Sequence, residues 1–343
     1  MDYLPFSVAI RRQPAELRSA LTSIRSSLQG ATIDPWRPGD TVAVLAMGAS
    51  TASAFTLTAA LTRAGVRSVN LTPTDLAAAP ADFEPGDHYV VVTESGRSPE
   101  PIAAAAAVTP GRRVGITNYP AQAVSGAVDH VVDLGGFDDS AVYSIGYIST
   151  LLAYSELLGA VGLGEQSADA DAVPALVERM LAVAFEAAPA LAAHLSGVSS
   201  IDVVGSGFSY ATAVEASLMF REALAIPAAS FEGYQYLHGP AEPAGETTAV
   251  IVFGDSRELV LAADLARAGA PVIVVSGASD AALAEVRASG ARVVRLPADL
   301  PGFARAIAEI VVVQAIVEAT GARMGTSTET FNYSQPDTKV AEV

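Results

Sequence analysis

Thr93, Ser95, Gly96 and Ser98 stand close together between an apolar run, HYVVV, and a run of alanines. The apolar run reads as a buried strand and the alanines as a helix. Ser98 takes the N-cap position, Pro99 the first helical position, and Glu100 the first turn. Such a strand-to-helix turn gathers hydroxyls and unpaired backbone N–H groups at the positive end of a helix dipole, a setting that suits an oxyanion. An ordinary capped loop has the same local grammar, and the stretch alone leaves both readings open.

Other motifs carry less chemistry. VVGSGFSYA has two glycines of a dinucleotide fingerprint, but Tyr210 replaces the third and no acid follows at the expected distance. No Walker A lysine pattern occurs, and GASTA and GFSYA only half match a nucleophile elbow. The histidines (His88, His130, His194, His238) lack ligand spacing, and Pro240 and Pro243 forbid a regular helix joining His238 to Glu242. The expectation is no metal and no cofactor.

The elements that must position the turn follow a repeating plan. An amphipathic helix is expected from about Ala15 to Leu28. TVAVLA, RSVNL, HYVVV, RVGITN and HVVDL then read as strands between alanine-rich helices, closed by a helix near Val142–Val161. GLGEQSADADAVP is polar and reads as a linker. A helix near Ala175–His194 follows, and IDVVGSGFSYATAVEA repeats the plan of VAVLAMGASTASAFTL about 160 residues on, which suggests duplication. Strands near TAVIVF, PVIVVSG and ARVVRL complete the second set. Apolar strands alternating with helices imply α/β parallel sheets covered on both faces. Ligands bind such sheets beyond the strand C-termini, where the turns at Ser50, Ser95 and Gly205 fall.

At 343 residues the chain can bury a full core without staples. Zero cysteines exclude disulfides and thiol nucleophiles and fit a cytoplasmic protein. No apolar run reaches the roughly 18 residues of a membrane span, and the N-terminus lacks a signal-peptide pattern. A formal net charge of −17 argues against nucleic acid and gives an anionic ligand no long-range attraction, so any anion site must rely on local donors. The chain is 51% hydrophobic and only 17% charged, a hint that apolar surface is buried between subunits.

The segment VEASLMFREALAIPAASFEGYQYLHGP carries a resemblance. It resembles sugar isomerase (SIS) domain proteins, in particular the isomerase half of glucosamine-6-phosphate synthase. That family has a glutamate at a helix end and an H-G-P loop 16 residues later, the separation of Glu222 and His238 here. Its serine-rich phosphate loop matches Thr93–Ser98, its glycine-x-serine turn matches Gly48–Ser50, and its tail lysine matches Lys339 in PDTKVAEV. The resemblance implies two tandem SIS-type doubly wound subdomains. A lead-in would span 1–39, the first SIS domain 40–163, a linker 164–172, the second SIS domain 173–322, and a tail over 323–343 would close the site.

The implied roles follow residue by residue. Ser50, Thr93, Glu94, Ser95, Gly96 and Ser98 would form the phosphate site of a sugar phosphate or amino-sugar phosphate. Glu222 would move a proton between carbons one and two. His238, contributed by a neighbouring subunit of a homodimer, would help open the sugar ring, and Lys339 would close over the substrate or form an imine. The chemistry stands on its own terms: such a transfer needs a carboxylate lifted toward neutrality in a dry site, and ring opening needs a group that exchanges protons near pH 7. The implied activity is aldose–ketose isomerisation or amino-sugar-phosphate isomerisation or deamination. The alternatives are a fructosamine-phosphate deglycase and a non-catalytic sugar-phosphate-binding protein.

Departures narrow the expectation. With no cysteine and no room for a glutaminase domain, glutamine-dependent transfer is excluded on this chain alone. Met219 stands where the synthase has a lysine, and Glu94 where it has a neutral glutamine. Like unit charges about 4 Å apart repel by about 4 kcal/mol at an effective dielectric near 20, so a charged Glu94 facing a phosphate needs compensation. Arg97 is the expected compensator. Asp255, in the matching loop of the second half, is expected to leave that half without an anion site.

Overall fold

The computed structural model describes residues 3–329, 331–333 and 336–342. The first half runs α1 (Phe6–Gln29), β1 (Thr41–Ala46), α2 (Ala49–Arg63), β2 (Arg67–Leu71), α3 (Pro73–Ala77), β3 (His88–Val92), α4 (Pro99–Ala107), β4 (Arg113–Thr117), β5 (His130–Asp133) and α5 (Ile145–Ala160). The second runs α6 (Val173–His194), β6 (Ser200–Gly205), α7 (Phe208–Leu224), β7 (Ala228–Glu232), α8 (Gly233–Tyr236), β8 (Thr248–Phe253), α9 (Arg257–Arg267), β9 (Val272–Ser276), α10 (Asp280–Ala288), β10 (Arg292–Arg295) and α11 (Gly302–Met324).

Each half holds a five-stranded parallel sheet, ordered β2-β1-β3-β4-β5 and β7-β6-β8-β9-β10. This is the doubly wound order, whose switch point opens between the first and third strands. Ala46 pairs with Val92 across β1 and β3, so the turns after these two strands emerge side by side at that switch point. The expected strands form because continuous apolar runs such as TAVIVF, buried throughout, suit a sheet covered on both faces. One core cluster joins residues of α1, α2, α5, α6, α7 and α11, so the halves share a hydrophobic centre. The segment at 164–172 is pinned to this body: Ser167 Oγ donates to the Ser155 carbonyl (2.8 Å) and Ala168 N to Ser155 Oγ (2.7 Å).

The first helix begins nine residues before the expected start at Ala15, at Phe6, and runs through Pro14. Proline forfeits one hydrogen bond, but burial of Phe6, Ala9 and Ile10 offsets that loss. Among the described residues, no helix is long and apolar enough to cross a membrane, and no group of three or more His, Asp or Glu is placed to hold a metal ion.

Gly96 shapes the turn after β3. Its φ is +67°, and a Cβ there would lie 2.8 Å from Gln122 Cβ and 3.0 Å from the Tyr119 carbonyl. Gly96→Ala is therefore expected to destabilise the protein by about 1–3 kcal/mol, read by urea unfolding.

Candidate functional site

The turn at 93–98 folds back on itself. Thr93, Glu94 and Ser95 are buried. Ser98 N donates to Thr93 Oγ1 (3.3 Å), and the Thr93 hydroxyl donates to Ser98 Oγ (3.2 Å). Ser98 takes the extended N-cap conformation before Pro99 as expected, but its side chain does not cap the helix. The hydroxyl faces the loop, where a ligand oxygen or a cation can use it.

The C-terminal tail supplies that cation. Lys339 Nζ donates to Ser95 Oγ (2.9 Å) and to Ser98 Oγ (3.4 Å). Arg97 fastens the strap: its Nε donates to the Val340 carbonyl (2.8 Å), Val340 N donates to the Arg97 carbonyl (2.9 Å), and its guanidinium pairs with Glu342 (2.7 Å). Burial pulls the Lys339 ammonium below its usual range, while Glu94 pushes it back up. Arg97 is thus engaged by the tail and is not the compensator of Glu94. The nearby cation is Lys339, brought from the far end of the chain.

Beneath the turn lies a small pocket lined by Ala49, Ser50, Ser53, Glu94, Tyr143, Gly146, Tyr147 and Thr150. It holds about 10 Å³, room for about one water, so a larger ligand requires its walls to shift. Glu94 Oε1 accepts a hydrogen bond from Asn118 Nδ2 (3.0 Å), and Oε2 is buried without a partner among the described residues. Burial, helped by the charge of Asp139, pushes the Glu94 carboxyl up to about 8. Gly146 allows this arrangement, since a Cβ there would come within 2.9 Å of Glu94 Cγ.

Helix α7 approaches the pocket from the second half. Phe55 packs against Tyr210 (4.9 Å between centroids), and Arg63 lies over the Phe208 ring (4.8 Å). These contacts pack the first turn of α7 against α2, the helix that begins at the Ser50 turn, while Glu222 stands in the last turn of α7. Glu222 is exposed in this chain, yet the protein packed around its carboxyl pushes it up to about 7. His238, just beyond α8, is exposed and makes no hydrogen bond or ion pair with Glu222 in this chain.

Several residues of this region escape a reading of motifs. Asn118, Asp139, Tyr143 and Tyr147 come from loops and helix starts without a pattern. Glu215 has one signal, an acid seven residues before Glu222 on an otherwise apolar helix face. It is fully buried, Oε2 lacks a partner among the described residues, and burial raises it well above the usual range.

The matching place in the second half is filled by the protein itself. Asp255 follows β8 as Glu94 follows β3, and the Arg305 guanidinium clamps it through two contacts, one of them 3.1 Å to Oδ1. Asp255 also accepts from Ser276 Oγ (2.8 Å) and Gly277 N (2.9 Å). Arg305 Nε reaches Glu309 (2.8 Å), which takes hydrogen bonds from Ser209 (2.8 Å) and Thr212 (3.0 Å). Here a carboxylate and an arginine replace open donors. A larger groove of about 540 Å³ between α1 and α6 offers little to an anion, because Arg25 there is already paired with Glu156 (2.9 Å) and Asp171 (2.8 Å).

Residues 194–299 match the SIS domain family model. No curated protein matches the chain by sequence. In fold the chain is similar to the C-terminal domain of glucosamine-fructose-6-phosphate aminotransferase from Francisella tularensis, with a TM-score of 0.79 at 15% identity over 94% of this chain and 96% of that one. Glucosamine-6-phosphate deaminase from Thermotoga maritima gives 0.76 at 16% identity, over 96% and 98% of the two chains. Tagatose-6-phosphate ketose/aldose isomerase from Escherichia coli gives 0.75 at 19% identity, over 96% and 97%. At such identities the likeness is one of fold. Residues 194–299 match the SIS domain model, and the chain as a whole has the α/β fold of two tandem SIS-type units.

Proposed function

We propose that this protein acts on a phosphorylated sugar or amino sugar and moves a proton between its first two carbons. Two features support the reading: a hydroxyl-lined turn equipped with Lys339, and a carboxyl pushed up to about 7 in the last turn of α7, the helix that packs on α2. In this reading Ser50, Thr93, Ser95 and Ser98 take the phosphoryl oxygens and Lys339 supplies the charge that the acidic surface does not. The strap lifts to admit the ligand and closes over it. Glu222 takes a proton from one carbon and returns it to the next, a task for which a carboxyl near 7 is half ionised at neutral pH. His238 comes from a second copy of the chain and exchanges the proton of ring opening.

Aldose–ketose isomerisation, loss of ammonia from an amino-sugar phosphate and cleavage of a fructosamine phosphate all share this first step. A panel of hexose and amino-hexose 6-phosphates, followed in deuterated water, separates them. Exchange at carbon two without ammonia identifies an isomerase, and ammonia release a deaminase. Binding with neither would overturn the catalytic reading in favour of a sugar-phosphate sensor. Sharing of the site is tested apart: mixing inactive Glu222→Gln and His238→Ala proteins is expected to restore up to about a quarter of the activity per site if subunits exchange statistically. No recovery after verified exchange would show that the site is built within one chain.

A further inference from the structure

We propose that Glu94 serves the anion site as an uncharged carboxylic acid, its Oε2 hydroxyl donating a hydrogen bond to an oxygen of the bound phosphoryl group. This rests on the reading of the 93–98 turn as an anion site and adds how an acid can belong there.

The hydrogen bonds around Glu94 decide which oxygen carries the proton. Asn118 cannot turn over, because its Oδ1 accepts from Gly136 N (2.8 Å) and Phe137 N (3.2 Å). Its Nδ2, which also donates to the Phe137 carbonyl (2.8 Å), must therefore face Glu94 as a donor. Glu94 Oε1 is thus the accepting, carbonyl-like oxygen. Oε2 has no partner among the described residues, and Glu94 lines the same pocket as Ser50.

The neighbouring carboxyl decides that Glu94 rather than Asp139 holds the proton. Asp139 accepts from Ser140 N (2.8 Å), Ser144 N (3.0 Å), Ser144 Oγ (2.8 Å) and Gly146 N (2.8 Å). Although burial raises Asp139 as well, four donors fit a carboxylate, while Glu94 has only the Asn118 amide (3.0 Å) and the neighbouring Tyr143 hydroxyl. Two adjacent buried carboxyls do not both ionise readily, and the proton goes to the less solvated one. The other titratable groups around Glu94 are Tyr143 from the loop before α5, Tyr119 after β4, and Lys339 from the tail. Of these only Lys339 is cationic, and it is spent on Ser95 and Ser98. A protonated glutamate presents one acceptor and one donor, the same pair that a glutamine amide would present. An ionised one would repel the ligand it lines.

Sulfate is the probe of choice, because its charge is constant over the range that matters. Its affinity for the wild-type protein is expected to fall by about tenfold or more between about pH 7 and about pH 9.5, as Glu94 ionises. Glu94→Gln is expected to bind sulfate as wild type does near pH 7 and to escape most of that fall. Glu94→Gln lacks the neighbouring charge that raises Lys339, so Lys339 loses its proton no later in the variant than in wild type, and a smaller fall in the variant reports Glu94 against that bias. The stability of the two proteins gives a second readout. A carboxyl raised in the folded state contributes stability below its unfolded value, and that contribution is lost as pH climbs through about 8. The melting temperature of Glu94→Gln should therefore exceed that of wild type by a margin that widens from about pH 5 to about pH 8.

Parallel falls in the two proteins, or a level wild-type affinity through about pH 9.5, would overturn the uncharged acid and leave the anion site standing. Absence of sulfate binding by either protein at every pH would overturn the anion site, and this inference with it. Should Glu94→Gln fail to fold, the infrared difference spectrum of the wild type on adding sulfate decides the matter. A shifted protonated-carboxyl band supports the assignment, and no shift overturns it.

Discussion

Glu222→Gln is expected to slow carbon-two proton exchange by about 10²–10⁴-fold while changing the affinity for the same hexose phosphate by only a few-fold. The substitution keeps shape and volume and removes only the ability to take a proton, so a loss confined to turnover separates a base from a binding residue. The pH profile gives the sign. A base must be ionised to act, and the protein around Glu222 pushes it up to about 7, so activity should rise with pH through that region. Glu222→Asp, which keeps the charge but withdraws it by one methylene, should retain part of the exchange. Rates are to be read by NMR in deuterated water across the pH series. An unchanged rate in Glu222→Gln would remove the residue from the reaction.

The second large effect concerns the filled half. Arg305→Ala is expected to destabilise the protein by about 3–5 kcal/mol, since it strands two carboxylates that now share one guanidinium. Glu309 is fully buried, and Arg305 is its only cationic partner among the described residues. Asp255 is held below its usual range: burial works to raise it, and Arg305 with Ser276 overcomes that. Both carboxyls set the same pH signature. Asp255 contributes stability in the wild type that is present above its unfolded value and lost as pH falls. In the variant Glu309 has lost its cation, and acidification relieves it by protonation. The gap between wild type and Arg305→Ala should therefore narrow toward about pH 4, measured by urea unfolding at several pH values. Arg305→Lys keeps the charge without the fork and should fall between the two. A gap that does not depend on pH would point to lost packing as the cause.

The sequence reveals elements and hides partners. Strands were legible because runs such as HYVVV and TAVIVF are too apolar and too β-branched to lie anywhere but in a covered sheet. The turn at 93–98 was legible because Ser98, Pro99 and Glu100 spell a helix start. What Ser98 does with its hydroxyl was not, since its partner Lys339 lies 241 residues away. The same distance in sequence misplaced Arg97, which looks local to Glu94 but serves Val340 and Glu342, 243 and 245 residues on. The first helix is expected to begin near Ala15, but it starts at Phe6 and runs through Pro14, because Phe6, Ala9 and Ile10 ahead of it are buried. Asp255 could be seen as unfriendly to an anion, but Arg305, 50 residues later on α11, gives no sign in the chain that it closes over Asp255.

A crystal structure of the Glu222→Gln protein with a hexose 6-phosphate bound tests the central claim most directly. The account places the phosphoryl group among Ser50, Ser95, Ser98 and Lys339, with the residue 222 side chain within about 3 Å of the first or second carbon, or one water away. A ligand seated elsewhere, or one whose first two carbons lie beyond the reach of that side chain, would contradict it.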